Sequence, residues 1–134
     1  MTKIRCFRGR GFTLIEVMIV VLILSIAMAV SLPMFVSAMN DAKTKQCRAN
    51  MITIANSEEQ YKIKSATHTY TTTLANLVGD LPVVPLCPNG GAYTVTISNG
   101  SATSQSGQTV ANGGLVILCS ASGHGKLAPS IDQQ

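Results

Sequence analysis

The sequence predicts an α+β protein with one long N-terminal α-helix, partly transmembrane, packed against a small C-terminal antiparallel β-sheet. Three observations carry this. From Phe12 to Val78 there is no glycine and only one proline, Pro33, so little interrupts helical hydrogen bonding over that stretch. Tyr93, Val95 and Ile97 alternate with Thr94, Thr96 and Ser98, the period-two pattern of a half-buried strand. Leu115 to Cys119 is a continuous apolar run that reads as the best-buried strand, and Asn99-Gly100 and Asn112-Gly113 between the two runs are hairpin signals.

Charge divides the chain further. Lys3, Arg5, Arg8 and Arg10 supply the whole net charge of +4 before Gly11, and beyond it basic and acidic residues cancel. The basic character is therefore a topology signal, which holds the amino terminus in the cytoplasm and sends the carboxy-terminal part across the membrane. It is no nucleic-acid footprint, since Lys43, Lys45, Arg48, Lys62 and Lys64 scatter around a helix instead of forming a stripe. From Val17 to Asn40 there are 24 positions without a charge. Glu16 stands at the edge of that run. A carboxylate buried at mid-membrane costs roughly 2.5 kcal/mol or more, so its presence asks for a partner.

Cleavage after Gly11 would create one. The new amino group on Phe12 would lie four residues before Glu16, on the same helix face. The string Arg10-Gly11-Phe12-Thr13-Leu14-Ile15-Glu16 resembles the amino terminus of the type IV pilins and type II secretion pseudopilins. The resemblance implies a prepilin peptidase cutting between Gly11 and Phe12, N-methylation of Phe12, and pairing of Glu16 with the Phe12 amine of a neighbouring subunit. It covers about the first third of the chain, and beyond that the likeness is one of layout. A secretory signal peptide would need a small-residue cleavage site after an apolar core of about 7 to 15 residues. Ala27 and Ala29 lie inside a longer run, and Cys6 precedes the run, which argues against a lipoprotein.

The chain then reads in order. Residues 1–11 are a cytoplasmic leader, with Cys6 discarded in it. Residues 12–40 form the transmembrane and filament-core helix, where Pro33 removes one hydrogen bond and predicts a kink or short unwound stretch near Ala29 to Leu32. Residues 41–66 continue it as a mixed polar helix. There Cys47, Met51, Ile54 and Tyr61 fall on one side, interrupted by Glu58, and Ala42, Ala49, Ile52 and Ile63 fall roughly opposite. One of the two faces can be covered by the chain's own sheet, and the other is left for a neighbouring subunit. Residues 67–91 form a connector, with one helical turn at Leu74 to Leu77 and a stiff extended link through Pro82, Pro85 and Pro88. Residues 92–134 form the small β region, whose tail from Ser120 shows no periodicity.

In an exported domain poor in aromatics, a disulfide between Cys87 and Cys119 is the leading expectation, closing the β region and holding the two predicted strands antiparallel. Cys47 is then most simply a buried free thiol, with a bond to either other cysteine as the minor alternative. The alternative is a metal held by Cys87, Cys119 and His124, with Cys47 or His68 as fourth ligand. No paired close spacing of the C-x-x-C kind supports it, so no metal and no cofactor are expected. The string from Cys87 to Tyr93, with Cys119-Ser120 and Gly123-His124, is also similar to the C-terminal layout of some bacterial prepilin-like proteins.

No Ser/His/acid set and no phosphate-binding glycine loop point to catalysis, and Glu58 and Glu59 diverge on a helix, so the chain is expected not to be an enzyme. The resemblance implies a structural subunit of a type IV pilus or pilus-like filament. Its partners would be copies of itself and related pilins, the processing peptidase and methyltransferase, and inner-membrane assembly machinery. The subunit would be held in a bacterial inner membrane before assembly into an extracellular or periplasmic filament. A secretion pseudopilin, or a minor or competence pilin, is the alternative within this class, and a membrane-tethered binding module lies outside it.

Overall fold

The computed structural model describes residues 11–132. The leader before Gly11, with Cys6, lies outside them. Helix α1 spans Leu14–Lys64, and a single 3-10 turn follows at Leu74–Leu77. Strands β1 (Tyr93–Ile97), β2 (Leu115–Cys119) and β3 (Lys126–Leu127) precede a short helix α2, Pro129–Asp132. The chain divides into two compact units, Met1–Ala38 and Met39–Gln134.

In the first unit, Thr13 opens α1. Its Oγ1 accepts the Glu16 N–H at 3.3 Å, satisfying one of the donors a helix start leaves free. Every large apolar side chain from Phe12 to Val36 is exposed, and this part of α1 is long and apolar enough to cross a membrane. A helix that is apolar all round has no wet face and belongs in lipid or among other helices. Of the kink or short unwound stretch expected before Pro33, the unwound stretch is not formed, since α1 stays helical through Ala29 to Leu32. One missing bond does not offset the cost of ending a helix and renucleating it.

The second unit is built on the other part of α1. Cys47, Met51, Ile54 and Ala55 are buried, and they share one core with Leu77, Leu81, Tyr93, Val95, Leu115, Ile117 and Leu127. Of the two predicted stripes, the one with Cys47, Met51 and Ile54 is the one in the core, with Tyr61 partly buried at its end. The opposite stripe stays open: Ala42 and Ala49 are exposed, as are Ile52 (37%) and Ile63 (72%).

The sheet order is β1-β2-β3, all antiparallel. Tyr93 pairs with Cys119 and Ile97 with Leu115, the arrangement predicted for the two longer strands. The residues between them form an excursion with its own small bridge, Thr103 to Thr109. Central β2 is covered on both faces, because Leu115, Ile117 and Cys119 enter the main core while Val116 packs with Val110 and Ala128. Strand β3 and helix α2 lie in the tail where the sequence shows no periodicity. Asp132 holds that tail in place. Its carboxylate accepts the N–H groups of Ala128 at 2.8 Å and Gln105 at 3.2 Å, and its backbone carbonyl accepts Arg48 at 2.7 Å.

Glu58, which interrupts the apolar stripe, is completely buried. Its Oε2 accepts the Thr71 N–H at 3.0 Å, tying the connector back onto α1, while Oε1 has no hydrogen-bond partner among the described residues. Burial pushes its carboxyl above the ordinary 4.5, against the opposing pull of the Thr71 N–H. A carboxyl raised on folding binds its proton more tightly folded than unfolded. Its contribution to stability is therefore full below 4.5 and is lost as pH rises through the folded value. In Glu58→Gln that loss should disappear, so the unfolding midpoint should fall less between pH 4.5 and mildly alkaline pH than in the parent chain. Equal pH slopes by circular dichroism would show that Glu58 keeps its unfolded-state affinity for protons.

Candidate functional site

Two groups of residues stand apart from ordinary core and surface. The first is at the start of α1. Gly11 and Phe12 precede the helix, both exposed, and Glu16 lies in its first turn, also exposed. Glu16 is the sole charge on the apolar part of α1, and no ion pair engages it among the described residues. Thr13 and Glu16 have the Thr-x-x-Glu spacing of a capping box, and a carboxylate near a helix N-terminus is favoured by the helix dipole. These effects make Glu16 tolerable where it stands, and they leave its charge available to a further partner. Pro33 lies within α1, away from this group.

The second group lies within the second unit. Cys47 projects from α1 and Cys87 from the connector, while Cys119 ends β2 and His124 sits in the turn before β3. One donor atom from each lies within 4.8 Å of all the others, and all four side chains are buried. His124 Nδ1 is 3.3 Å from Cys87 Sγ and 3.9 Å from Cys119 Sγ. On the far side of the ring, Nε2 meets the Asn89 side-chain amide at 2.9 Å.

Each element has a local reason for its place. Cys47 lies one turn before Met51 on the buried face of α1. Cys87 begins a tight turn in which the Gly90 N–H donates to the Cys87 carbonyl, with Gly90 at φ 74°. The chain reverses after Cys119 through Gly123 and Gly125, at φ 79° and 70°, so that Cys119 N–H meets the Gly125 carbonyl and His124 turns inward.

The sulfur environments differ. Burial pushes the Cys47 thiol up to about 12, although the Tyr93 hydroxyl donates to its sulfur at 3.4 Å. Asn50 in turn donates to the Tyr93 oxygen at 3.1 Å. At Cys87 burial also raises the thiol, but the Asn89 and Gly91 N–H groups and the neighbouring thiols outweigh it and bring it below the ordinary 9.0.

All three cysteines are free thiols in the structure, including the Cys87 and Cys119 expected to pair. Cys47, Cys87, Cys119 and His124, all named in the metal alternative, are brought together. His68, the other candidate ligand, is exposed, with φ 48°, and stands outside the group. Sequence spacing left this set as the alternative to a disulfide because its four members come from four different segments. The one local signal was the five-residue separation of Cys119 and His124, with His124 flanked by Gly123 and Gly125.

Residues 6–32 match the prokaryotic N-terminal methylation motif. Comparison with curated proteins and with solved structures returns no match. The motif is the class III signal of type IV pilins and pseudopilins, and it supports a membrane-anchored substrate of prepilin peptidase.

Gly91 shows how closely the second group is built. A Cβ there would meet Ala121 N at 2.6 Å, Ala121 Cβ at 2.8 Å and Cys119 Sγ at 3.0 Å. Gly91→Ala should therefore destabilise the fold by about 1–3 kcal/mol, the usual cost of overpacking. Chemical denaturation checks this, and an unchanged midpoint would mean that the turn relaxes freely.

Proposed function

We propose that this chain is a structural subunit of a type IV pilus or a closely related filament, processed after Gly11 and assembled through its N-terminal helix. The observation that carries this is the methylation motif at residues 6–32, coinciding with the apolar part of α1, whose only charge is Glu16. Such a helix needs cover. Lipid supplies it before assembly, and other apolar helices supply it afterwards. A contact that repeats without closing on itself builds a filament.

Glu16 gives this exchange a register. Removal of the leader exposes a cationic amine at Phe12, and an apolar helix bundle offers that amine and the Glu16 carboxylate no other solvation. Pairing of Glu16 with the Phe12 amine of the adjacent subunit neutralises both charges at one axial offset. The exposed stripe of Ala42, Ala49, Ile52 and Ile63 supports a further contact between subunits.

A pilus or minor pilin is favoured over a major secretion pseudopilin by the acidic residues. Members of the latter class characteristically carry an acidic calcium-binding loop toward the carboxy terminus, whereas Asp132 is the only acidic residue after Asp80 here. Its carboxylate is engaged by the Ala128 and Gln105 N–H groups and the Ser106 hydroxyl. Three donors from the chain itself and a hard cation compete for the same oxygens.

Mass spectrometry of filaments sheared from the source cells should give a dominant chain beginning at methylated Phe12. Glu16→Ala should leave cleavage after Gly11 intact and reduce filament yield at least about tenfold, the effect of losing roughly 1.4 kcal/mol per added subunit. Normal yield from the variant would remove Glu16 from assembly, and an uncut chain in the filaments would overturn the processing itself.

A further inference from the structure

We infer that Cys47, Cys87, Cys119 and His124 form a structural zinc site, with three thiolates and His124 Nδ1 as a closed tetrahedral ligand set. The donors are of the kind that zinc selects, three soft sulfurs and one imidazole, and four protein ligands leave no open position for substrate. Zinc–sulfur bonds of about 2.3 Å and a zinc–nitrogen bond of about 2.0–2.1 Å place tetrahedral sulfurs about 3.8 Å apart, and sulfur and nitrogen about 3.6 Å apart. The observed donor atoms lie within 4.8 Å of one another, and the two sulfur–Nδ1 distances of 3.3 and 3.9 Å fall on either side of the tetrahedral value. Metal entry needs only a slight adjustment of side chains.

The surroundings fit thiolate ligands. The Tyr93 hydroxyl donates to Cys47 Sγ and is itself held by the Asn50 amide. Donors aimed at a coordinating sulfur are the outer-shell contacts that orient metal ligands and stabilise their charge. With Nδ1 on the metal, Nε2 carries the ring proton and donates to Asn89, whose amide offers its oxygen by a half-turn about its last bond. Lys45, Arg48 and Lys126 line the same surface depression as His124. They lie beside a centre whose three thiolates and one Zn²⁺ leave a single negative charge.

Binding breaks three S–H bonds, passes three protons to solvent and forms three S–Zn bonds and one N–Zn bond, with no change of oxidation state. The ion joins α1, the connector, the end of β2 and the turn before β3. A Cys87–Cys119 disulfide would consume two of the four ligands, so bridge and metal exclude each other.

The test uses the full-length chain purified in detergent without reductant from cells supplied with zinc. Elemental analysis should find about one zinc per chain, and exchange with Co²⁺ should give sulfur-to-cobalt charge-transfer bands with the intense visible bands of tetrahedral cobalt. Alkylation with peptide mapping should leave Cys47, Cys87 and Cys119 protected until a chelator is added. Tyr93→Phe, which keeps every ligand, should weaken zinc binding by about 10-fold or more. Cys47→Ser should lose the metal, and full zinc retention in that variant would overturn the four-ligand set. A Cys87–Cys119 disulfide without zinc in the unaltered chain would overturn the site, as would free thiols that take up neither metal. None of these readouts depends on filament growth, so the site and the filament assignment stand or fall separately.

Discussion

The second unit depends on one contact, the seating of the buried face of α1 against the sheet. Met51, Ile54 and Ala55 supply its apolar centre, with Ile117 and Leu127 among the core residues contributed by the strands. At each end of that face is a residue that does more than fill space. Cys47 brings α1 into contact with two loops and the end of β2, and Glu58 holds the Thr71 N–H at the start of the connector. Apolar burial supplies non-directional stabilisation, while these two residues select which loop lies where.

The first unit obeys a different constraint. Its helix buries nothing, so its stability as a helix comes from internal backbone hydrogen bonds in surroundings without water. In such surroundings a single carboxylate outweighs many methyl groups in deciding what the helix can neighbour. Thr13 and Glu16 satisfy the start of α1 locally, while the charge of Glu16 remains to be neutralised by something beyond it. A helix with that property is suited to a partner whose position is set by one ion pair and whose affinity is set by area.

The cysteines show how compartment and geometry can suggest different chemistry. Export to an oxidising space favours a bond between two thiols. Three sulfurs and an imidazole enclosed together, each approached by donors or by one another, favour an ion that uses all four. The closed ligand set also explains why a small region with few aromatic side chains needs four segments brought to one point. Metal coordination concentrates stabilisation where apolar area is short.

Local pattern by itself determined the long helix, the two main strands with their antiparallel pairing, and the N-terminal methylation motif over residues 6–32. These are legible because helical and strand periods, turn pairs and apolar run length are properties of neighbouring residues. The tertiary structure decided the rest. Strand β3 is two residues long and carries no period, and α2 is one turn held by the carboxylate of Asp132. Glu58 reads as an interruption of an apolar stripe until Thr71 is found above it. Cys47, Cys87, Cys119 and His124 are separated by up to 77 positions in the chain and become one group only when α1, the connector and β2 pack. A ligand set assembled from distant segments leaves no spacing to read, because the distances that define it are made by the fold.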